Sequence, residues 1–178
     1  MDRRPGDAMP MDVKNMTAAA ACLPPGFPSW RDLMQPALDQ AFAAGARGEA
    51  PAGAAVFGPD GCVLGLAGNE SVAANDPTAH AEVLALRRAG AAVGNYRLTG
   101  SILVATVEPC LMCLGALVHA RVAGLVFGAR DPKAGAVVSR LAASELSFLN
   151  HRFWVVEGVL AAECAAAMSR FFAARRKG

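Results

Sequence analysis

The sequence is short of four things, and each shortage removes a class of protein. No stretch of eighteen or more apolar residues runs free of glycine, charge or proline, so no segment reads as a transmembrane helix. Net charge is only +2 at pH 7. That is too little for a protein that coats nucleic acid by bulk electrostatics, although a local basic patch remains open. Five cysteines form no even, regularly spaced framework, which argues against a disulfide-stapled scaffold and for a reducing cytoplasm. Internal repeats are missing too, so a repeat architecture is not expected.

What the chain does have is apolar bulk. Its 178 residues are 54% hydrophobic and 18% charged, which suits one globular domain with a substantial core. Residues 1–28 differ in texture, mixing charge, alanine and the run Pro24-Pro25-Gly26-Phe27-Pro28. Arg3 and Arg4 ahead of residues 18–23 have the outline of a secretory signal. Acidic and polar residues intervene, however, and the apolar run is short. A flexible extension over 1–28, followed by a single domain over 29–178, is the expected organisation. Met9, Met11 and Met16 are alternative candidate starts.

Ser29-Trp30-Arg31-Asp32 has the form of a capping box with Asp in place of the usual Glu. It opens a helical pattern to about residue 46 through Leu33, Ala37, Leu38, Ala41 and Phe42, closed by Gly45 and Gly48. Pro36 is expected to kink or delay this helix, because it lacks an amide N–H and crowds the preceding turn. Apolar runs at 54–57 and 62–67, around Gly58-Pro59-Asp60-Gly61, read as a β-hairpin with a longer turn. A turn at 75–78 leads into a helix over about 79–89. A β-rich run at 101–106 is followed directly by a helix over about 110–120. Residues 124–127 and 153–157 are two further strands. The last helix, over about 161–175, sets Cys164, Met168, Phe171 and Phe172 along one stripe. Strands alternating with helices imply a layered α/β domain.

Two short segments carry the chemistry: His80-Ala81-Glu82 and Pro109-Cys110-Leu111-Met112-Cys113. Cys110 and Cys113 are three apart, so on a helix their sulfurs share one face. Pro109 is well tolerated at a helix start. Thiolates in a first turn also face the positive end of the helix dipole, which favours the deprotonated form that zinc binds. His80, at the start of another helix, completes three ligands if the two N-termini converge. Glu82 stands two residues further on and can lie beside the open position. Three protein ligands plus an acid is the inventory of a catalytic zinc site, whereas a structural site closes with four. Zinc lowers the pKa of bound water to roughly 7, and Glu82 would carry the proton from that water to the substrate nitrogen and leaving group. The outcome is hydrolytic loss of ammonia from an amine-bearing aromatic carbon.

Other readings stand beside this one. A Cys-x-x-Cys pair is often redox-active or structural, and Cys62 is the only spare cysteine near enough in sequence to close a structural tetrahedron. His119 is expected on a helix surface or in the core, Cys22 in the tail and Cys164 in the core. Phe171 and Phe172 at helical spacing would ordinarily be core. The cluster Arg170, Arg175, Arg176 and Lys177 can be a solvated helix end, where cations suit the dipole. Aromatic groups interleaved with cations also hold single-stranded loops.

The His-x-Glu and Pro-Cys-x-x-Cys pairing is the known signature of the cytidine-deaminase-like zinc superfamily. Over roughly residues 30–177 the chain further resembles the bacterial tRNA-specific adenosine deaminases. The resemblance is carried by Pro51-Ala52-Gly53-Ala54, Asn75-Asp76-Pro77-Thr78-Ala79-His80-Ala81-Glu82, Gly94-Asn95-Tyr96-Arg97-Leu98, Val107-Glu108-Pro109-Cys110, Phe127-Gly128-Ala129-Arg130-Asp131-Pro132-Lys133 and Asn150-His151-Arg152. It implies a three-layer α/β/α sandwich with a central five-stranded mixed sheet, a homodimer, one Zn2+ per subunit, and deamination of the wobble adenosine in a tRNA anticodon stem-loop. Carried over by position, it makes His80, Cys110 and Cys113 the metal ligands and Glu82 the proton shuttle. Asn69 would hydrogen-bond the flipped base, although its place after Gly68 suits a plain turn equally well. Asp131 would meet the anticodon-loop backbone, and Phe171, Phe172, Arg175 and Arg176 would form part of an RNA-facing surface. Pro36 and the N-terminal extension depart from the family pattern, and residues 137–148 offer no clue to RNA contacts. A deaminase of free guanine or cytosine would share the zinc motif, as would a non-catalytic zinc-stabilised RNA-binding protein, although the latter has no need of Glu82.

Overall fold

The computed structural model describes residues 21–176, so residues 1–20 of the expected extension, Lys177 and Gly178 lie outside it. Ten elements follow in order: α1 (Trp30–Ala46), β1 (Gly53–Phe57), β2 (Val63–Gly68), α2 (Ala81–Val93), β3 (Ile102–Val107), α3 (Leu111–Ala120), β4 (Gly124–Ala129), a 3-10 turn (Ala143–Glu145), β5 (Trp154–Glu157) and α4 (Ala161–Arg175). The strands form one sheet in the order β2-β1-β3-β4-β5. β1 pairs antiparallel with β2 and β3, while β3, β4 and β5 run parallel. This is the expected mixed five-stranded sheet.

Alternation along the strands builds the three layers. Ala54, Val56, Leu103, Ala105, Leu125 and Phe127 face a core shared with α2 and α3. Ala55, Phe57, Ile102, Val104 and Val126 face the opposite core, with α1 and α4. Successive strand side chains point to opposite faces, so a sheet buried on both sides reads as continuous apolar runs. The all-buried β1 and β4 do so.

Three sequence expectations need adjusting. Helix α1 begins at Trp30 and continues past Pro36 to Ala46, without the expected delay. Ser29 Oγ accepts from the Asp32 amide at 3.3 Å and donates to the Asp32 carboxylate at 2.5 Å, which secures the first turn. Beyond it, buried Leu33, Met34, Ala37, Leu38, Ala41 and Ala44 hold the helix to the sheet, outweighing one lost hydrogen bond. Second, packing starts before residue 29. Ala21, Leu23 and Phe27 lie against the α1/α4 core, and the Phe27 ring meets Phe57 edge-on at 5.0 Å. Third, His80 and Cys110 are the N-cap residues of α2 and α3 and stand just outside the helices.

Candidate metal centre and active site

Strand β3 ends at Val107, Glu108 and Pro109 follow, and the chain then turns into α3 through Cys110. Across the same core layer, α2 starts after His80. His80 makes no side-chain capping bond to α2, and Cys110 Sγ turns to Cys113 in the first turn of α3, so both side chains point at a common centre. His80 Nδ1 lies 3.6 Å from Cys110 Sγ and 3.6 Å from Cys113 Sγ, and the sulfurs are 3.7 Å apart. A tetrahedral zinc with Zn–S of about 2.3 Å and Zn–N of about 2.0–2.1 Å requires S···S of about 3.8 Å and S···N of about 3.6 Å. The triangle matches three vertices of that tetrahedron, and both the distances and the N,S,S donor set fit the metal. Among the described residues this is the one group of three or more such ligands. Cys62 is exposed at the hairpin and Cys22 is exposed as well, so neither closes a fourth vertex. Cys164 is buried in the α4 layer, where burial pushes its thiol up to about 11. His119 is exposed on α3.

Charge at the triangle is balanced for a cation. Hydrogen bonds from Cys113 and His80 pull the Cys110 thiol down to about 3. Cys113, in contact with that thiolate and buried, is pushed up. Two thiolates cannot both ionise at 3.7 Å unless a positive ion offsets them. Glu82 sits in the first turn of α2, only 7% exposed. Burial raises its carboxyl above the ordinary value, and the nearby Cys110 thiolate adds to this. It is not a member of the ligand triangle. A carboxyl that is buried, basic and unligated is suited to exchanging protons.

Asn69 follows β2 and is buried. The pairing of the Glu70 amide with the Ala79 carbonyl at 3.0 Å ties this turn to the His80 segment. Asn69 Nδ2 donates to Glu49 at 3.0 Å, so the amide carbonyl is the end left to face outward, with a long 3.4 Å bond from Ser71 Oγ. Glu49, 1% exposed, also accepts from the Val72 and Ala73 amides at 3.2 and 2.7 Å. Burial alone would raise its carboxyl, but these bonds and the charge of Arg47 hold it below the ordinary 4.5. Sequence reasoning missed Glu49; its one signal is an acid set between small residues ahead of a buried strand.

A groove of about 710 Å³ opens between α4 and the segment after β4. Asp131, Phe172, Arg175 and Arg176 all line it, together with Lys133 and Met168. The structure thus gathers four of the five residues assigned to RNA. Phe171 lies elsewhere: it borders a smaller hollow of about 310 Å³ with Phe42, Gly45, Pro51 and Arg170. The Arg175 guanidinium stacks over the Phe171 ring at 4.4 Å and donates to the Gly48 carbonyl, so part of its reach is directed at its own fold. Phe172, 45% exposed, is the aromatic group open to a ligand. The zinc ligands do not line this groove; Val107 at the end of β3 connects the two regions.

Fold and geometry together define a zinc-dependent deaminase-type domain. Residues 29–129, more than half of the chain, match the family of the cytidine and deoxycytidylate deaminase zinc-binding region. The chain is 45% identical over 145 residues to the tRNA-specific adenosine deaminase of Haemophilus influenzae, spanning 82% of this chain and 84% of that protein. A solved structure of a tRNA:A34 deaminase, from work on A-to-I editing at the wobble position, is 41% identical with a TM-score of 0.73. It covers 75% of this chain and 96% of its own. The guanine deaminase of Bacillus subtilis is 36% identical with a TM-score of 0.55, over 57% of this chain and 65% of that one. This chain belongs to the tRNA-specific adenosine deaminase family.

Proposed function

We propose that this protein converts the wobble adenosine of a tRNA anticodon loop to inosine by zinc-dependent hydrolysis, with one zinc ion per subunit. The carrying observation is a three-ligand N,S,S triangle beside a buried carboxylate that ligates nothing. His80, Cys110 and Cys113 would hold the ion, which when bound makes a water nucleophilic near neutral pH. Glu82 takes a proton from the attacking water and delivers it to the purine ring nitrogen. As the C6–N6 bond breaks, it moves the proton of the newly added C6 hydroxyl to the amine, which departs as ammonia and leaves the C6 carbonyl of inosine. The Asn69 carbonyl oxygen, aimed by Glu49, presents an acceptor to the base. A base inside a stack cannot reach such a site, so the substrate adenosine must be turned out of the loop. Asp131, Phe172 and Arg176 line the groove beside it, where an aromatic face and cations suit an unpaired loop.

Helix α3 carries no acidic or basic group except His119, and its Leu111 is 62% exposed. Such an apolar start to a helix supports a homodimer. A tRNA substrate, five cysteines without a disulfide framework and the absence of any membrane-spanning helix among the described residues fit the cytoplasm.

The test is a substrate panel. Zinc-loaded protein is incubated with an anticodon stem-loop carrying a wobble adenosine, and separately with free adenosine, cytosine and guanine. Inosine in the stem-loop alone is expected. Turnover of free guanine or cytosine alone would replace this reading with that of a nucleobase deaminase.

A further inference from the structure

Glu108 is the most heavily hydrogen-bonded side chain near the site, and the chemistry above leaves it without a task. It is 3% exposed. One oxygen accepts from the amides of Val137, Val138 and Ser139 at 3.1, 2.7 and 2.9 Å. The other accepts from the Asp131 amide at 3.0 Å and from the Ser139 hydroxyl. A carboxylate offers about four lone-pair sites, so its accepting capacity is filled.

All five donors belong to one segment, residues 131–139. Its first residues line the groove: Asp131, whose Oδ1 accepts from the Lys133 and Ala134 amides at 2.9 and 3.2 Å, and then Lys133 itself. The middle of the segment lies against the turn between β3 and α3 that carries Cys110. Cys110 bridges Gly135, and the Ala136 amide donates to the Pro109 carbonyl at 2.9 Å. Ala136 and Val137 are anchored in the core by their own side chains. What the core does not settle is the path of the exposed first half, and there Glu108 holds the Asp131 amide. Space enforces the same contact. A Cβ on Gly135 would come within 2.3 Å of the Glu108 carboxyl carbon and 2.7 Å of the Asp131 carbonyl oxygen.

We propose that Glu108 is a positioning residue for substrate: a buried, saturated carboxylate, two residues before Cys110, that fixes residues 131–139 so that Asp131 and Lys133 face the groove in register with the metal centre. This inference rests on the RNA-deaminase reading. Glu108 itself touches no reacting atom. Its loss should therefore appear in substrate capture more than in the chemical step.

Three variants test it on the zinc-loaded full chain, with the wobble-adenosine stem-loop as substrate. Glu108→Gln replaces an acceptor with an amide donor that faces donors. Gly135→Ala drives the segment away from an intact Glu108. Ser139→Ala removes only the hydroxyl donor and guards against a Glu108 variant that does not fold. The expected result for the first two is a KM raised about tenfold or more, the scale set by losing a bond to a charged acceptor. Zinc content should stay at the wild-type level and kcat within about threefold, while Ser139→Ala shifts KM in the same direction by less. A second readout separates positioning from general destabilisation. In an Asp131→Ala background, Glu108→Gln should cost less than it does alone, because part of its effect runs through the Asp131 side chain. Unchanged KM in Gly135→Ala and Ser139→Ala, or full additivity with Asp131→Ala, overturns the proposal. Failure of the wild-type protein to form inosine in the stem-loop would instead overturn the functional reading beneath it.

Discussion

Replacing Glu82 with Gln separates proton transfer from metal binding. The ligand triangle closes at 3.6–3.7 Å without Glu82, so zinc content should remain at wild-type stoichiometry. Gln has the shape of Glu, and the site is only 7% exposed, so the packing of the first turn of α2 should survive. What is lost is the proton carrier. General acid–base catalysis typically contributes about 10²–10⁴-fold. In this site one carboxyl serves two transfers, onto the ring nitrogen and onto the departing amine, and burial allows no ready substitute from bulk water. The loss should therefore fall at the upper end, about 10⁴-fold in kcat, or roughly 5 kcal/mol of transition-state stabilisation. The assay is single-turnover inosine formation on the stem-loop, with zinc measured by mass spectrometry and stem-loop affinity by fluorescence anisotropy. Turnover within tenfold of wild type, at full zinc loading, would refute the proton-shuttle role. Loss of zinc would refute the three-ligand geometry.

Removing zinc with a chelator should abolish turnover and lower the thermal midpoint, because the metal ties the start of α2 to the start of α3. At free zinc about a thousandfold above Kd the linkage is worth about 4 kcal/mol, or roughly 8–16 °C for a domain of this size; coincident melting curves would contradict it. Phe172→Ala should weaken stem-loop binding by about 1–3 kcal/mol, the usual value of a base stacked on an aromatic ring. Phe171→Ala, at a ring covered by Arg175, should act mainly on stability, and the reverse pattern in anisotropy and melting would reassign the two. Glu49 is held below its ordinary 4.5 in the fold, so its stabilising contribution is complete above that pH and is lost as pH falls through the folded-state value. Glu49→Gln should accordingly lower the melting temperature at pH 7 and flatten the loss of stability below about pH 4.5; parallel acid profiles for the two proteins would count against an ionised Glu49 holding Asn69 and the Val72 and Ala73 amides.

The metal site was legible because each half is contiguous: His80 with Glu82, and Cys110 with Cys113. Their positions at two helix starts followed from Pro109 and from the turn before His80. The layered fold was legible from the apolar runs at 54–57, 101–106 and 124–127, each buried on both faces. Pro36 misled because its cost is local, whereas the buried stripe that overrides it forms only when α1 docks on the sheet. Phe171 and Phe172 are adjacent in sequence and on the same helix. Which of them faces solvent depends on Gly45 and Pro51 from a distant part of the chain. Glu49 and Glu108 were invisible as functional residues for a related reason. Their partners are mostly backbone amides 23–31 positions away, and an amide has no residue type to recognise.

Three buried glutamates surround this site, and their neighbours divide the labour among them. Glu49 and Glu108 are met by backbone amides that solvate the charge, so both stay ionised despite burial. Glu82 has burial without that ring of donors, and its carboxyl rises instead. Hydrogen bonds to the charged form lower a carboxyl pKa, and desolvation raises it. A carboxylate saturated with amides is a fixed structural charge, slow to accept a proton, and is suited to holding a loop. One whose burial outweighs its few bonds, to its own backbone amide and to Cys113, sits closer to neutrality and can exchange protons with substrate. The same side chain thus becomes a clip or a catalyst according to how many N–H groups the fold turns toward it. Moving the proton-transfer role to Glu49 or Glu108 would require stripping away the donors that make each of them a clip.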